Sequence, residues 1–168
     1  MKNKKKRKGL HKSPKAGKMK CPYCGSQSVL QSADGIYREN NKNIRLFVCS
    51  KYPECDAYVR VQDGTKDVPL GSMANGELRA LRRETHKHFD KLYKSGLMSK
   101  QDAYSWLSTI LAAPMSYAHI GQLGDYYCKV VIEESKKYLE NNRTVYFQRK
   151  SYRSPAIYTT GGEEYGGK

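Results

Sequence analysis

The rhythm of apolar residues changes along this chain. Between residues 21 and 63 they come in short β-prone runs, at 28–31, 44–48 and 57–61, separated by turn formers. Residues 36–38 predict a further short strand, and Asn40, Asn41 and Asn43 suit the turn after it. From residue 73 onward the spacing becomes helical. Leu78, Leu81, Thr85, Phe89 and Leu92 recur on one face, with Asn75 placed as an N-cap and Gly96 as a stop. Ser99 opens a second helix, and Asp102, three residues on, completes a capping box. Ala103, Trp106, Leu107, Ile110 and Leu111 form its inner face, and Pro114 ends it. A third helix is predicted over about 124–140, burying Tyr127, Cys128, Val131, Ile132 and Leu139. The pattern predicts an α+β protein: a small antiparallel ribbon followed by a three-helix unit, with Trp106, the sole Trp, near the centre of the helices.

Charge adds two arms to this picture. The net charge is +15, from 31 basic and 16 acidic side chains. Ten of the basic residues and none of the acids lie within residues 1–20, so two thirds of the excess sits in the leading segment. Such a run buries almost nothing and repels itself, so it is expected to stay disordered. It can track a polyanion and release counterions, or serve only to keep the chain soluble. Residues 141–168 mix Tyr, Arg and Gly and are expected to form a second flexible arm. The expected division is thus a basic arm (1–20), a ribbon (21–63), a linker (64–72), a helical domain (73–140) and a Tyr-rich basic arm (141–168). No run approaches the roughly 18 apolar residues that span a bilayer, and the basic N-terminus lacks the apolar segment of a signal peptide. The expectation is a soluble cytoplasmic protein with no membrane partner.

The ribbon is too short and too polar to fold on apolar burial alone. Its staple is legible in the cysteines. Cys21 and Cys24 are separated by two residues, Cys49 and Cys55 by five, and 24 residues lie between the pairs. Zinc prefers four soft ligands in a tetrahedron, and a two-residue gap lets both thiolates of one turn face one ion. Gly25 can adopt the backbone conformation that closes such a turn. A disulfide framework does not suit an intracellular chain. A lone redox pair would need no second pair. The expectation is one structural zinc ion on Cys21, Cys24, Cys49 and Cys55, with no coordination position open for catalysis.

The stretch Cys21-Pro22-Tyr23-Cys24-Gly25, followed by Phe47-Val48-Cys49-Ser50-Lys51-Tyr52-Pro53-Glu54-Cys55, resembles the C-terminal zinc ribbons of bacterial type I topoisomerases. The resemblance covers about residues 21–58 and implies a contribution to single-stranded DNA binding. The part between the knuckles is longer here, around residues 39–43, and no topoisomerase catalytic domain is present. The wider pattern is similar to a zinc-finger-containing family of phages, prophages and bacteria. Its marks are Pro69-Leu70-Gly71, Ala74-Asn75, Glu77-Leu78-Arg79, His86, Phe89-Asp90, Ala103-Tyr104, Trp106-Leu107, His119-Ile120-Gly121 and Cys128. That similarity implies an architecture, and a bacterial or phage-infected cell as its setting, but no activity.

Aromatic and basic residues interleave across the ribbon. Aromatic faces stack on unpaired bases while cations follow phosphates. The expected nucleic-acid contacts are Lys4, Lys5, Lys6, Arg7 and Lys8 in the arm, and Arg45, Phe47, Tyr52, Tyr58 and Arg60 in the ribbon. Arg79, Arg83 and Lys87 would add a helical stripe at intervals of four. Period-two logic puts Arg45 and Phe47 on one strand face and Tyr58 and Arg60 on one face of the next, so in-register pairing would merge all four into one surface. The competing expectation is that Phe47 and Tyr58 only cover the ribbon interior. Catalysis finds no motif. His86 and His88 diverge on their helix, and the acidic pairs 133–134 and 163–164 are sequence neighbours. Only His119 with Cys128 could form a second site. The expected function is non-enzymatic nucleic-acid binding, with single-stranded DNA favoured. The alternative is a phage-type adaptor or inhibitor that docks on a host protein.

Overall fold

The computed structural model describes residues 19–144. It has the α+β architecture expected: a three-stranded antiparallel sheet followed by three helices. The strands are β1 (Ser28–Ser32), β2 (Arg45–Cys49) and β3 (Tyr58–Arg60), ordered β1-β2-β3. The helices are α1 (Gly76–Lys94), α2 (Lys100–Ile110) and α3 (Asp125–Asn141), with a 3-10 turn at Ile120–Gln122 ahead of α3.

The central strand β2 is buried on both faces. Leu46 and Val48 pack with Ala33, Ile36 and Tyr37 on one side. Phe47 and Cys49 pack with Cys21, Val59, Val61 and Met73 on the other. Residues 36–38 form no strand. The Ile36 and Tyr37 amides both donate to the Ala33 carbonyl, at 3.1 and 2.8 Å, so the backbone closes a tight turn through Gly35 at φ +76°, and Tyr37 makes only an isolated bridge with Asp34.

The chain does not leave the sheet after β3. Gln62 N donates to the Val68 carbonyl at 2.7 Å, Leu70 N to the Arg60 carbonyl at 2.8 Å, and Tyr58 and Ala74 exchange both backbone hydrogen bonds at 3.1 Å. Residues 68–74 therefore run back along β3 and cover what would otherwise be a bare sheet edge. At Gly71 this strap crosses the turn before α3. Ser72 N donates to the Gly121 carbonyl at 3.0 Å, and a methyl group on Gly71 would collide with that same carbonyl.

Both anticipated helix starts are present. The Asn75 side chain accepts from Leu78 N at 2.9 Å, and Ser99 and Asp102 form a reciprocal capping box. Helix α1 ends at Ser95, and Gly96 follows at φ +79°, the left-handed position that glycine tolerates. Helix α1 is the hub, packed on α2, α3 and the 3-10 turn. Its apolar stripe, Leu78, Phe89 and Leu92, meets Ala103, Leu107, Leu111, Cys128 and Val131. Thr85, fully buried in that stripe, donates its hydroxyl to the Leu81 carbonyl at 2.8 Å, which satisfies a polar group that would otherwise be costly there.

Two core expectations are corrected. Trp106 is only partly buried and flanks the core. Its centre is Phe89, fully buried and ringed by Tyr104 at 5.3 Å, Tyr93 at 6.0 Å and Trp106 at 6.4 Å between centroids. The large indole fits less readily than Phe between three short helices. Tyr127 is 46% exposed, because Cys128, Val131 and Ser135 take the inward stripe of α3 and leave Tyr127 about 100° away, edge-on to Tyr126 at 5.2 Å.

Candidate metal centre and nucleic-acid interface

Two turns at one end of the sheet bring the four cysteines together. In the first, Gly25 N donates to the Cys21 carbonyl at 2.9 Å and Cys21 N to the Ser26 carbonyl at 2.8 Å, with Gly25 at φ +71°. Only a residue without a Cβ takes that conformation cheaply, and it folds Cys24 back over Cys21. In the second, Tyr52 N donates to the Cys49 carbonyl at 3.0 Å and Cys55 N to the Lys51 carbonyl at 2.9 Å. The β1–β2 pairing sets Ser28 opposite Cys49, so the long connection between the knuckles returns the chain to the same end.

The four sulfurs all lie within 4.8 Å of one another, with Cys24 3.3 Å from Cys49 and Cys21 3.5 Å from Cys55. Tetrahedral coordination at about 2.3 Å per ligand would set the sulfurs about 3.8 Å apart. All five cysteines among the described residues are free thiols, so the cluster is not a pair of disulfides. The set of Cys21, Cys24, Cys49 and Cys55 fits one structural zinc ion. Their surroundings differ. Hydrogen bonds from the Ser26 hydroxyl and amide hold the Cys24 thiol down at about 6, whereas burial pushes Cys49 up to about 12. The Lys51 amide points at the Cys49 sulfur from 3.5 Å. A bound dication is what would keep both as thiolates together.

Each knuckle also grips the start of α1, through a residue next to a metal ligand. The Tyr23 hydroxyl, between Cys21 and Cys24, accepts from Asn75 N at 3.2 Å and donates to the Asn75 side chain at 3.3 Å. Asp56, directly after Cys55, accepts from Gly76 N at 2.7 Å and pairs with Arg79 at 3.1 Å. Sequence patterning did not single out Tyr23 or Asp56 for this task. The signal for Asp56 was an acid able to meet the open end of a helix, but nothing in one dimension says that Cys55 and Gly76 adjoin.

The aromatic and basic residues expected to bind nucleic acid do not form the single surface drawn from period-two logic. The register pairs Phe47 with Val59, Val48 with Tyr58 and Leu46 with Arg60. Tyr58 and Arg60 therefore share the face of Val48 and Leu46, opposite Arg45 and Phe47. A one-residue difference in register is enough to exchange faces in this way. Phe47 is fully buried in the ribbon core and has no face to offer a base. Arg45 is exposed but pairs with Asp67 at 2.8 Å. Tyr52 is exposed on the second knuckle. Lys87 is exposed and pairs with Glu84 at 3.6 Å. Lys4, Lys5, Lys6, Arg7 and Lys8 lie outside the described residues.

Four of the expected residues do converge. Tyr58, Arg60, Arg79 and Arg83 line one groove of about 310 Å³ between β3, the strap and α1, together with Tyr37, Leu70, Ser72 and Arg82. Arg79 is no free member of a solvent-facing stripe. It donates to the main-chain carbonyls of Asp56, at 2.7 Å, and Ala74, and its guanidinium lies 3.6 Å from the centre of the Tyr58 ring. Arg60 donates through Nη2 alone to both carboxylate oxygens of Asp63, at 2.8 and 2.6 Å. Arg82 spans to the carbonyls of Leu123 and Ser72, both at 2.9 Å, and to the Ser72 hydroxyl at 2.6 Å. Arg83 is exposed and takes part in none of these ion pairs. Burial, then the neighbouring Tyr58, raises the Tyr37 pKa, so Tyr37 stays an uncharged phenol.

The second-site expectation rests on His119, exposed ahead of the 3-10 turn, and on Cys128, fully buried and with its pKa raised by burial. No helix among the described residues is long and apolar enough to cross a membrane. A family model described as a zinc-finger-containing domain matches residues 17–138. No curated protein and no solved structure matches the chain significantly.

Proposed function

The chain belongs to the zinc-finger-containing domain family, and on that premise we propose that it is a non-enzymatic nucleic-acid-binding accessory protein that favours single-stranded DNA. The observation that carries this reading is the groove in which two tyrosines and four arginines meet beside the zinc ribbon. Uncharged aromatic walls with cations at the rim are what an unpaired strand needs, since bases stack and phosphates pair. The ten basic residues of the leading segment would add sequence-blind electrostatic capture. The likeness of the Cys-Ser-x-Tyr-Pro-x-Cys knuckle to topoisomerase ribbons supports the single-stranded preference, and the family likeness supports a phage or bacterial cytoplasmic setting.

The absence of catalysis is part of the proposal. Two of the histidines are engaged within α1, His88 with Glu84 at 2.9 Å and His86 with Asp90 at 3.7 Å. The buried, proton-retaining Cys128 suits packing better than nucleophilic attack.

The test is binding of the full chain to single-stranded DNA, RNA and duplex of equal length in rising salt. Log affinity should fall linearly with log salt, with single-stranded DNA bound most tightly. Binding no stronger than that of an unrelated protein of similar charge would end the proposal. A second reading, docking on a host protein, is favoured by the exposed rings of Tyr126 and Tyr127, 72% and 46% exposed at the start of α3. It predicts one stoichiometric protein partner that survives nuclease treatment.

A further inference from the structure

We propose that the groove between β3 and α1 holds a single unpaired nucleotide, with its base on the Tyr58–Arg79 stack and its phosphate on Arg83. This rests on the nucleic-acid reading of the same groove and assigns a separate task to each arginine there.

The volume of the groove sets the size of the occupant. About 310 Å³ lies at the small end of ligand pockets, which run from roughly 300 to 1,000 Å³. It admits a base with its sugar but not two paired bases with their backbones. The lining suits a flat and largely apolar ligand. Leu70, 52% exposed, contributes hydrocarbon, Tyr37 and Tyr58 contribute rings, and no acidic side chain lines the groove.

The bonding of the arginines decides their roles. The Arg79 guanidinium lies over the Tyr58 ring, 3.6 Å from its centre, and three of its five donors go to the Asp56 carboxylate and to the carbonyls of Asp56 and Ala74. Its planar outer side can stack on a base, as guanidinium planes do in single-strand recognition. With its charge paired to Asp56 and three donors committed, it is a poorer phosphate ligand than Arg83. Arg60 is neutralised by Asp63, and Arg82 is drawn inward to Ser72 and Leu123. Arg83, four residues beyond Arg79 on α1 and therefore on the same side of the helix, keeps its fork available for one phosphate. The geometry thus gives one base platform and one phosphate site, side by side.

Wild-type full-length protein should first be titrated with a short oligothymidylate and with the abasic strand of equal length. The phosphates are identical in the two probes, so the basic leading segment contributes equally and the difference isolates stacking. The abasic strand should bind roughly 5- to 150-fold more weakly, the fold-change that corresponds to one stacked base. Arg83→Gln, at an exposed position, should weaken both strands and reduce the salt slope by about 0.7, the value for one phosphate on a single strand. Arg79→Lys keeps the charge and removes the plane. It should weaken the base-bearing strand alone, with zinc content confirming that the ribbon is intact. Equal and tight binding of both strands, or an Arg83→Gln variant with an unchanged slope, would overturn the proposal and leave nucleic-acid binding standing. Failure of both strands to bind would overturn both.

Discussion

The ribbon and the helical unit are neighbours in one chain, yet they are held together in different ways. The helical unit buries a continuous core from Leu78 to Val131, with Phe89, Leu92, Ala103 and Leu107 fully enclosed. The ribbon divides its smaller apolar set into two layers either side of β2, Ala33 with Leu46 and Val48, and Phe47 with Val59 and Val61. Neither layer is thick enough to fix three short strands, and the four cysteines at the end of the sheet supply the missing constraint. Where apolar spacing is sustained the fold rests on burial; where it is interrupted every few residues, the fold rests on coordination.

Breaking that contrast at the metal should have the largest effect. Structural zinc contributes roughly 10–16 kcal/mol of apparent binding energy in zinc-finger peptides, as much as the whole stability of a typical domain. Cys49→Ser should therefore lose stoichiometric zinc. In hydrogen exchange it should lose protection at Leu46, Phe47 and Val48 while Phe89, Leu92 and Val131 stay protected. Collapse of both sets together would show that the two regions do not differ as described. The converse change, Phe89→Ala, should cost about 3–5 kcal/mol in urea unfolding, as large cavities in cores do, and should leave zinc content intact.

Gly71→Ala sharpens the comparison at the boundary. The added methyl meets the Gly121 carbonyl, main chain that cannot swing aside. The expected cost is about 1–3 kcal/mol, read as a lowered unfolding midpoint with zinc retained. Asp56→Ala should have the smallest effect, about 1 kcal/mol. It removes an acceptor from the first turn of α1, and its ion pair with Arg79 is half exposed and adds little. Thermal unfolding of the zinc-loaded protein would measure it.

The elements that sequence patterning read best were those with a local cause. Asn75, Ser99 with Asp102, and Gly96 each act on backbone within a few residues, so their roles could be read without knowing the fold. The cysteine spacing carried the metal centre for the same reason, since each pair closes its own turn. Long-range relations were not legible. Which face Tyr58 shares depends on the β2–β3 register, and that register cannot be read from two short strands, each able to slip by one residue. Arg79 looked like one more cation on a helical stripe, because its partners Asp56 and Tyr58 come from a different part of the chain. Gly71 and Gly121 both appeared among the marks of the family likeness, but fifty residues of chain separate them and only the folded strap brings their backbones together.

The grip of Tyr23 and Asp56 on Asn75 and Gly76 fixes an order of failure for the molecule. Both anchors sit on the loops that the ion closes, so stripping the ion frees the leading end of α1 before any contact around Phe89 is disturbed. In the same event Arg79 would lose its two bonds to Asp56 and keep only the one to the Ala74 carbonyl. The metal thus acts at a distance as a latch on the neighbouring helix, although none of its ligands belongs to that helix.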